Sequence, residues 1–245
     1  MEVRLIVDRP ASGSWNMAVD HAMLVTAAET RSATLRFYEW IEPTVTLGYF
    51  QNYLSGDAHA TSRSCPRLRR ATGGGAIVHD CELTYALTVP TSQARDSDIS
   101  SHWYRVMHQG LIKALAEIGL LADEVRESDP GRPTSYLCFQ RRSIGDVVFQ
   151  GHKICGSAQR RRHGALLQHG SLLLRRSRHA PELAGLGDLA HRPVAAGDVQ
   201  QLWCRELVQQ SGFDLIPGEW SESEMLEAQT VAAGQFASSA WNQKR

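Results

Sequence analysis

Three consecutive glycines, Gly73, Gly74 and Gly75, follow the string Arg69-Arg70-Ala71-Thr72, and the chain on both sides, Leu68 to Arg70 and Ala76 to His79, has the texture of a strand. Residues without a Cβ tolerate positive φ and let backbone N–H groups approach a ligand closely. A tight hairpin with surface arginines would use the same residues, so the run by itself leaves a ligand loop and a plain turn both open. It is not a nucleotide P-loop, because no Gly-Lys-Ser/Thr follows. The next segment alternates, with Leu83, Tyr85, Leu87 and Val89 on one face, as a strand packed on a core does. The chain is therefore expected to build a sheet around a glycine loop.

Other elements follow from periodicity. Residues 14 to 28 read as a helix that Ser14 can cap, with Trp15, Val19, Ala22 and Met23 on one face. Thr34 to Tyr38 and Thr44 to Tyr49 are rich in β-branched and aromatic residues and read as strands. Pro90 to Ser101 is polar and reads as a connection. Tyr104, Met107, Leu111, Ala114, Leu115 and Ile118 then mark an amphipathic helix ended by Gly119. Residues 123 to 136, with Pro130, Gly131 and Pro133, read as a loop leading into Cys138. Strands return at Asp146 to Gln150 and Leu166 to Leu174, and Gly151 to Gly164 between them reads as a second functional turn. Past Arg175 the pattern is helical, weakly near Pro181 to Leu189, then through Val199 to Gln210, and again from Ser221, where Ser221 and Glu224 suit a capping box.

At 245 residues with 42% hydrophobic content, one large α/β domain with a terminal appendage is the expected scale. Lys plus Arg and Asp plus Glu both total 26, so no whole-molecule field draws the protein to nucleic acid or anionic lipid. Positive charge is local, at Arg67, Arg69 and Arg70, at Arg160 to Arg162, and at Arg175, Arg176 and Arg178. The first ten residues carry Glu2, Arg4, Asp8 and Arg9 and lack the apolar run of a secretory signal, and no stretch has the length of a membrane span. The five widely spaced cysteines, with no Cys-x-x-Cys pair, favour a reducing compartment over a disulfide framework and argue against structural zinc. A cytoplasmic protein is expected.

A second string carries chemistry: Gly151-His152-Lys153-Ile154-Cys155-Gly156-Ser157-Ala158-Gln159, followed by Gln168-His169-Gly170-Ser171. A lysine among small residues can aim its ammonium at a carbonyl or phosphate. Taken alone, it is equally a turn with a solvated tip. His79 and His169 suit acid–base work, but beside strand ends the favoured reading is a supporting, hydrogen-bonding role. His79-Asp80 without a Gly-x-Ser-x-Gly elbow leaves a serine hydrolase as a minor alternative.

The two strings in this order, about eighty residues apart, resemble the biotin and lipoate protein ligase superfamily, and within it the lipoate branch. The matching residues are Arg69 to Asp80, Gly151 to Gln159 and His169 to Ser171, with Asn16-Met17-Ala18, Asp20, Leu35 to Tyr38, Leu47 to Gln51 and Glu82 to Tyr85 in support. Three activities share that scaffold. Classical octanoyltransferases place a cysteine three residues before the His-Gly pair, where this chain has Leu166. ATP-dependent lipoate ligases usually carry Asn-Asp upstream of the lysine, where this chain has Arg142-Ser143. The cysteine-dependent octanoyltransferases and amidotransferases of Gram-positive type hold a Cys-Phe step fifteen residues before the lysine, which Cys138-Phe139 and Lys153 match. Arg141-Arg142 and Gly145 depart from that class.

The resemblance implies an α/β (α+β) fold, a mixed β-sheet flanked by helices like the class II aminoacyl-tRNA synthetases and biotin ligases. It implies a catalytic domain over residues 1–178 and a small helical extension over 179–245. It implies transfer of an octanoyl or lipoyl group from octanoyl-acyl-carrier protein to a lysine of a lipoyl domain or the glycine-cleavage H protein. The alternatives are an ATP-dependent ligase, an amidotransferase between carrier domains, and a non-catalytic acyl-binding protein. Cys138 and Lys153 would be catalytic, with the Lys153 ammonium stabilising the Cys138 thiolate and backbone N–H groups near Gly156 and Ser157 helping to hold the oxyanion. Arg70, Gly73, Gly74, Gly75, Ala76, His79, Gly156, Ser157, Ala158, His169 and Gly170 would bind substrate. Cys155 is the rival nucleophile, two residues from Lys153. No cofactor or metal is expected unless the ligase alternative holds, which needs ATP and magnesium, and the basic clusters would dock an acidic carrier.

Overall fold

A computed structural model describes residues 1–91, 97–129, 135–162 and 164–245, and the side chains of 97–99 are not described. An eight-stranded mixed sheet forms the body. Its strands are β1 (Glu2–Val7), β2 (Thr34–Tyr38), β6 (Glu82–Pro90), β7 (Asp123–Glu124), β8 (Val147–Phe149), β9 (His152–Arg162), β10 (Ala165–Leu173) and β11 (Asp214–Pro217). They lie in the order β11-β1-β2-β6-β10-β9-β8-β7. A smaller sheet, β4-β3-β5, is made of β3 (Thr44–Leu47), β4 (Arg67–Arg69) and β5 (Ile77–His79) and carries the glycine loop between β4 and β5.

The helices are α1 (Gly13–Thr30), α2 (Ser97–Glu117), α3 (Leu186–Leu189), α4 (Ala196–Ser211), α5 (Glu222–Val231) and α6 (Ser239–Asn242). Among the described residues none is long and apolar enough to cross a membrane. β6 shows how they divide. Its Leu83, Tyr85, Leu87 and Val89 join Met107, Leu111, Leu115, Trp203 and Leu207 of α2 and α4 in one core. Ala86, on the opposite face, belongs to a second core with Met17, Val19 and Met23 of α1 and with Ala228 of α5. The strand is buried on both faces because successive side chains alternate and each face meets a helix layer. Trp203 anchors the first core: fully buried, it meets Phe37 and Tyr85 edge-on with centroids 5.5 and 5.0 Å away and donates its indole N–H to Met107 O at 2.9 Å.

Several expectations shift. The stretch from Gly151 to Gly164 is strand β9 and its turn, not a functional turn. The chain reverses into β9 at Gln150 and Gly151, both at positive φ (48° and 77°), the signature of a two-residue hairpin, and turns again between β9 and β10. The polar composition hid the strand because β9 becomes progressively exposed toward Arg162. The cap of α1 is Ser12 rather than Ser14, and it makes no side-chain hydrogen bond to the helix. α2 begins at Ser97, inside the span read as connection, while 92–96 and the Pro130, Gly131 and Pro133 positions lie outside the described residues. The segment after residue 178 carries helices α3 to α6 and an edge strand, β11, paired in parallel with β1. The Ser221–Glu224 capping box forms, and Glu224 is also ion-paired to Arg4 of β1, tying α5 to the sheet.

His108 of α2 is a measurable consequence of this packing. It is fully buried, donates from Nδ1 to Gly145 O at 2.5 Å and accepts at Nε2 from the Ser157 hydroxyl at 2.7 Å. Burial lowers its pKa to about 4, from an ordinary value near 6.5. The unfolded chain therefore takes up a proton between those values that the folded protein refuses, so stability falls as pH drops from about 6.5 toward 4 and no further below it. The full contribution is about 3 kcal/mol. Replacing His108 with Gln is expected to flatten the slope of unfolding free energy against pH across that window in urea titrations; an unchanged slope would show that His108 is not responsible.

Candidate active site

Arg70 organises the loop. It is almost completely buried and spends its N–H groups on neutral oxygens: Nε on Thr72 Oγ1 (3.1 Å), Nη1 on Thr46 O and Oγ1 (3.0 and 3.2 Å), and Nη2 on Gly73 O and Gly75 O (2.6 and 2.8 Å). Two polar chains run on from it. Thr46 donates to His79 Nε2 at 2.7 Å, and His79 Nδ1 donates to Glu82 at 2.6 Å. Thr72 donates to His169 Nε2 at 2.7 Å, and His169 Nδ1 donates to Asp20 at 2.9 Å. Asp20 is in turn paired with buried Arg36 at 3.0 Å, and the His79 ring stacks on Trp40 with centroids 3.9 Å apart. Both ring nitrogens of each histidine are thus engaged inside the protein.

The loop is stitched to the cysteine segment. Ala76 N donates to Tyr136 O and Cys138 N to Ala76 O, at 3.0 and 2.8 Å, so 136–138 run beside Ala76 as a short parallel bridge. A Cβ on Gly75 would lie 3.0 Å from both N and Cα of Cys138, and Gly74 takes φ +92° with Cys138 Sγ 3.8 Å from where its Cβ would be. Gly75 is required because the loop backbone packs there on the backbone that carries the thiol, and Gly74 because of its φ, while Gly73 has open space around it. Cys138 opens a short 3-10 turn, Cys138–Gln140, and is half-buried.

These parts border a pocket lined by apolar Met17, Ile77 and Phe139 and by Arg70, Gly74 and Cys138. Gly156, Ser157, Ala158, His169 and Gly170, together with His79, complete its wall. Gly73 and Ala76 lie behind it: Gly73 offers its carbonyl to Arg70, and Ala76 is buried in the third core with Val45, Leu47 and Leu137. Polar side chains at the wall, Tyr38, Thr84 and Ser171, bond to the buried carboxylates Asp20 and Glu82, so the cavity presents few free polar groups.

Strand alternation sorts the second string. Gly156 pairs with Ser171, Ser157 with Gly170 and Ala158 with His169. Ser157 and Gly170 share the face of Tyr85, and the Ser157 hydroxyl bonds to Tyr85 (2.6 Å) and His108 on the helix α2 side. Its side chain therefore points away from the cavity, and its amide donates to Tyr104 OH at 3.3 Å rather than standing free for an oxyanion. Gly170 lacks a Cβ because one would overlap the Ser157 hydroxyl.

Lys153 is nearly buried. Its Nζ lies 2.7 Å from Asp146 and 5.3 Å from the centre of the Phe139 ring, next to Cys138 in the chain. Asp146 also accepts from Tyr104 OH at 2.9 Å and from Ser143 N at 2.7 Å, so its carboxylate is fixed from three sides. Asp146, Tyr104 and His108 were not found in the sequence; Asp146 lies just before β8 and the other two one turn apart on α2, far from it in the chain, so no motif spacing links them. Asp20, Arg36 and Glu82 stood within the matching strings, but their roles emerge only from the contacts. Cys155 packs in the first core with no exposure, and burial pushes its thiol well above the ordinary range, which leaves it unsuited to attack. Among the described residues no group of three or more His, Cys, Asp or Glu side chains is arranged to hold a metal.

A Cβ on Gly156 would stand 2.6 and 2.8 Å from Lys153 Cε and Nζ and 3.0 Å from Asp146. Gly156→Ala is therefore expected to displace the ammonium and lower the turnover rate by about a hundredfold, with little change in the unfolding midpoint. Turnover within twofold of the parent would show that the ammonium position is not critical.

The lipoyl protein ligase A/B catalytic domain matches residues 12–182. The chain is 34% identical to a protein from Kyrpidia tusciae named octanoyltransferase LipM, with 99% of this chain and 98% of that protein covered. It is 31% identical to one of the same name from Bacillus anthracis, with 96% and 95% covered. Its fold is similar to a bipartite lipoate protein ligase from Thermoplasma acidophilum, TM-score 0.77 at 23% identity over 99% of this chain and 96% of that one. With an α/β fold of mixed sheet and flanking helices, and with both motif strings meeting at one cavity, the chain belongs to the lipoyl protein ligase A/B catalytic domain family.

Proposed function

We propose that this protein transfers an octanoyl group to a lysine of a lipoyl carrier domain, through a thioester at Cys138. The observation that carries the reading is the half-buried Cys138 thiol at the wall of the largely apolar cavity, clamped to the glycine loop, while Cys155 is sealed in the core. The name octanoyltransferase LipM on relatives aligned over nearly the whole chain supports it.

In the first step the Cys138 thiolate attacks the carbonyl of octanoyl carried on an acyl-carrier protein. The carbon–sulfur bond to the phosphopantetheine thiol breaks, and that thiol leaves with a proton. In the second, the neutral amine of the carrier lysine attacks the new thioester, the Cys138 sulfur departs, and the amine proton is released. The acyl group passes from thioester to thioester to amide, so no nucleotide or metal is needed to activate it. Lys153, anchored by Asp146, keeps protons free to meet the carbonyl oxygen as it gains charge. A cytoplasmic site of action fits a free thiol nucleophile.

Cys138→Ser is expected to lower octanoyl transfer to a lipoyl domain by at least about a thousandfold, because an alkoxide is far harder to form at neutral pH than a thiolate. The check is a transfer assay with octanoyl-acyl-carrier protein as donor and no ATP. Full activity in the serine variant would reject the thioester route, and activity only with free octanoate, ATP and magnesium would make the protein a ligase.

A further inference from the structure

Arg70 is a buried cation with no anion beside it. Every oxygen it touches is a hydroxyl or a backbone carbonyl, and among the described residues no carboxylate pairs with it directly. The carboxylates of Asp20 and Glu82 are reached only through a threonine and a histidine. Lys153 differs, since its charge is balanced at 2.7 Å by Asp146. Removing a charge from water without a counter-charge is costly, and a chain that tolerates it at a cavity wall has a use for the field.

That field falls on Cys138. Arg70 Nη2 and Cys138 Sγ lie 2.9 and 3.8 Å from the single point where a Cβ on Gly74 would be, so guanidinium and sulfur flank the same open space beside Gly74, and both border the cavity. Gly74 must be glycine here, both for its φ of +92° and to leave that space open. Burial lowers the Arg70 pKa to about 10, and the Cys138 charge is the one influence that offsets this.

We propose that Arg70, rather than Lys153, is the cation that holds Cys138 as a thiolate, leaving Lys153 to act on the acyl carbonyl. Arg70 is then a positioning residue: it fixes the glycine loop through Gly73 and Gly75 and charges the nucleophile through space. The two threonine–histidine–carboxylate chains hold its guanidinium plane so that the field points at sulfur. This rests on the thioester reading above. It separates the two cations by step: Arg70 governs formation of the nucleophile, and Lys153 governs the carbonyl in both transfers.

The test is the rate at which iodoacetamide alkylates Cys138 in the intact folded protein, followed by peptide mass. Arg70→Gln is expected to slow alkylation about tenfold at pH 7 and to converge with the parent near pH 10, where a thiol ionises without help. Arg70→Lys restores the rate to within about threefold, although lysine cannot clamp the loop with a fork of donors. Parent-like alkylation of Arg70→Gln at pH 7 overturns the proposal. So does a deficit that persists at pH 10, which would mean lost access and not lost charge. Should Arg70→Gln fail to fold, Lys153→Met decides: alkylation of native Cys138 still about tenfold faster than in urea supports Arg70, and loss of that excess assigns the effect to Lys153. A protein that transfers octanoyl without ever carrying it on Cys138 would defeat the thioester reading itself, whatever the alkylation rates.

Discussion

The structure turns on Arg70 being buried where the small sheet meets the large one. Its five N–H groups hold Thr46 of β3, Thr72 before the glycines, and the carbonyls of Gly73 and Gly75. Through Thr46 and Thr72 it reaches His79 and His169, and through them Glu82 of β6 and Asp20 of α1. One guanidinium thus ties both sheets and α1 to the loop that carries the cysteine segment. A buried network of this kind rigidifies only when each member is satisfied, and here nearly all of them are. The one buried orphan in it is Glu82 Oε2, whose partner oxygen accepts from His79, Thr84 and Ser171.

Much of this was legible in the sequence. The alternation Leu83, Tyr85, Leu87, Val89 located the central strand because both its faces meet helices and its inward set is uniformly large and apolar. The glycine run located the loop because a residue with a Cβ does not fit against Cys138 at Gly75 and is strained at the positive φ of Gly74. What sequence could not supply was face and partner. Ser157 looked like a site residue from its place in the Gly-Ser-Ala string, yet strand pairing opposite Gly170 turns its hydroxyl onto Tyr85 and His108. β9 was missed because its polar, basic end is solvated, and β1 and the edge strand β11 because short strands of mixed composition lack a clean period.

The position of Lys153 shows the same lesson from the energetic side. Read alone, a lysine between glycines is a solvated tip. In the fold its ammonium is almost removed from water, which is tolerable because Asp146 neutralises it and Tyr104 and Ser143 fix that carboxylate. Helix α2 contributes Tyr104 and His108 to the same corner, one turn apart, so packing of the first core sets the geometry of the lysine. Stability and chemistry share the same residues here.

The central claim is that acyl transfer passes through sulfur of Cys138, and one measurement addresses it directly: intact-protein mass after mixing with octanoyl-acyl-carrier protein in the absence of ATP, followed by peptide mapping. The account predicts a single octanoyl adduct on Cys138 that hydroxylamine removes and that disappears when a lipoyl domain is added, as the acyl group moves to its lysine. No adduct under these conditions, with lipoyl-domain modification appearing only when free octanoate, ATP and magnesium are supplied, would contradict it.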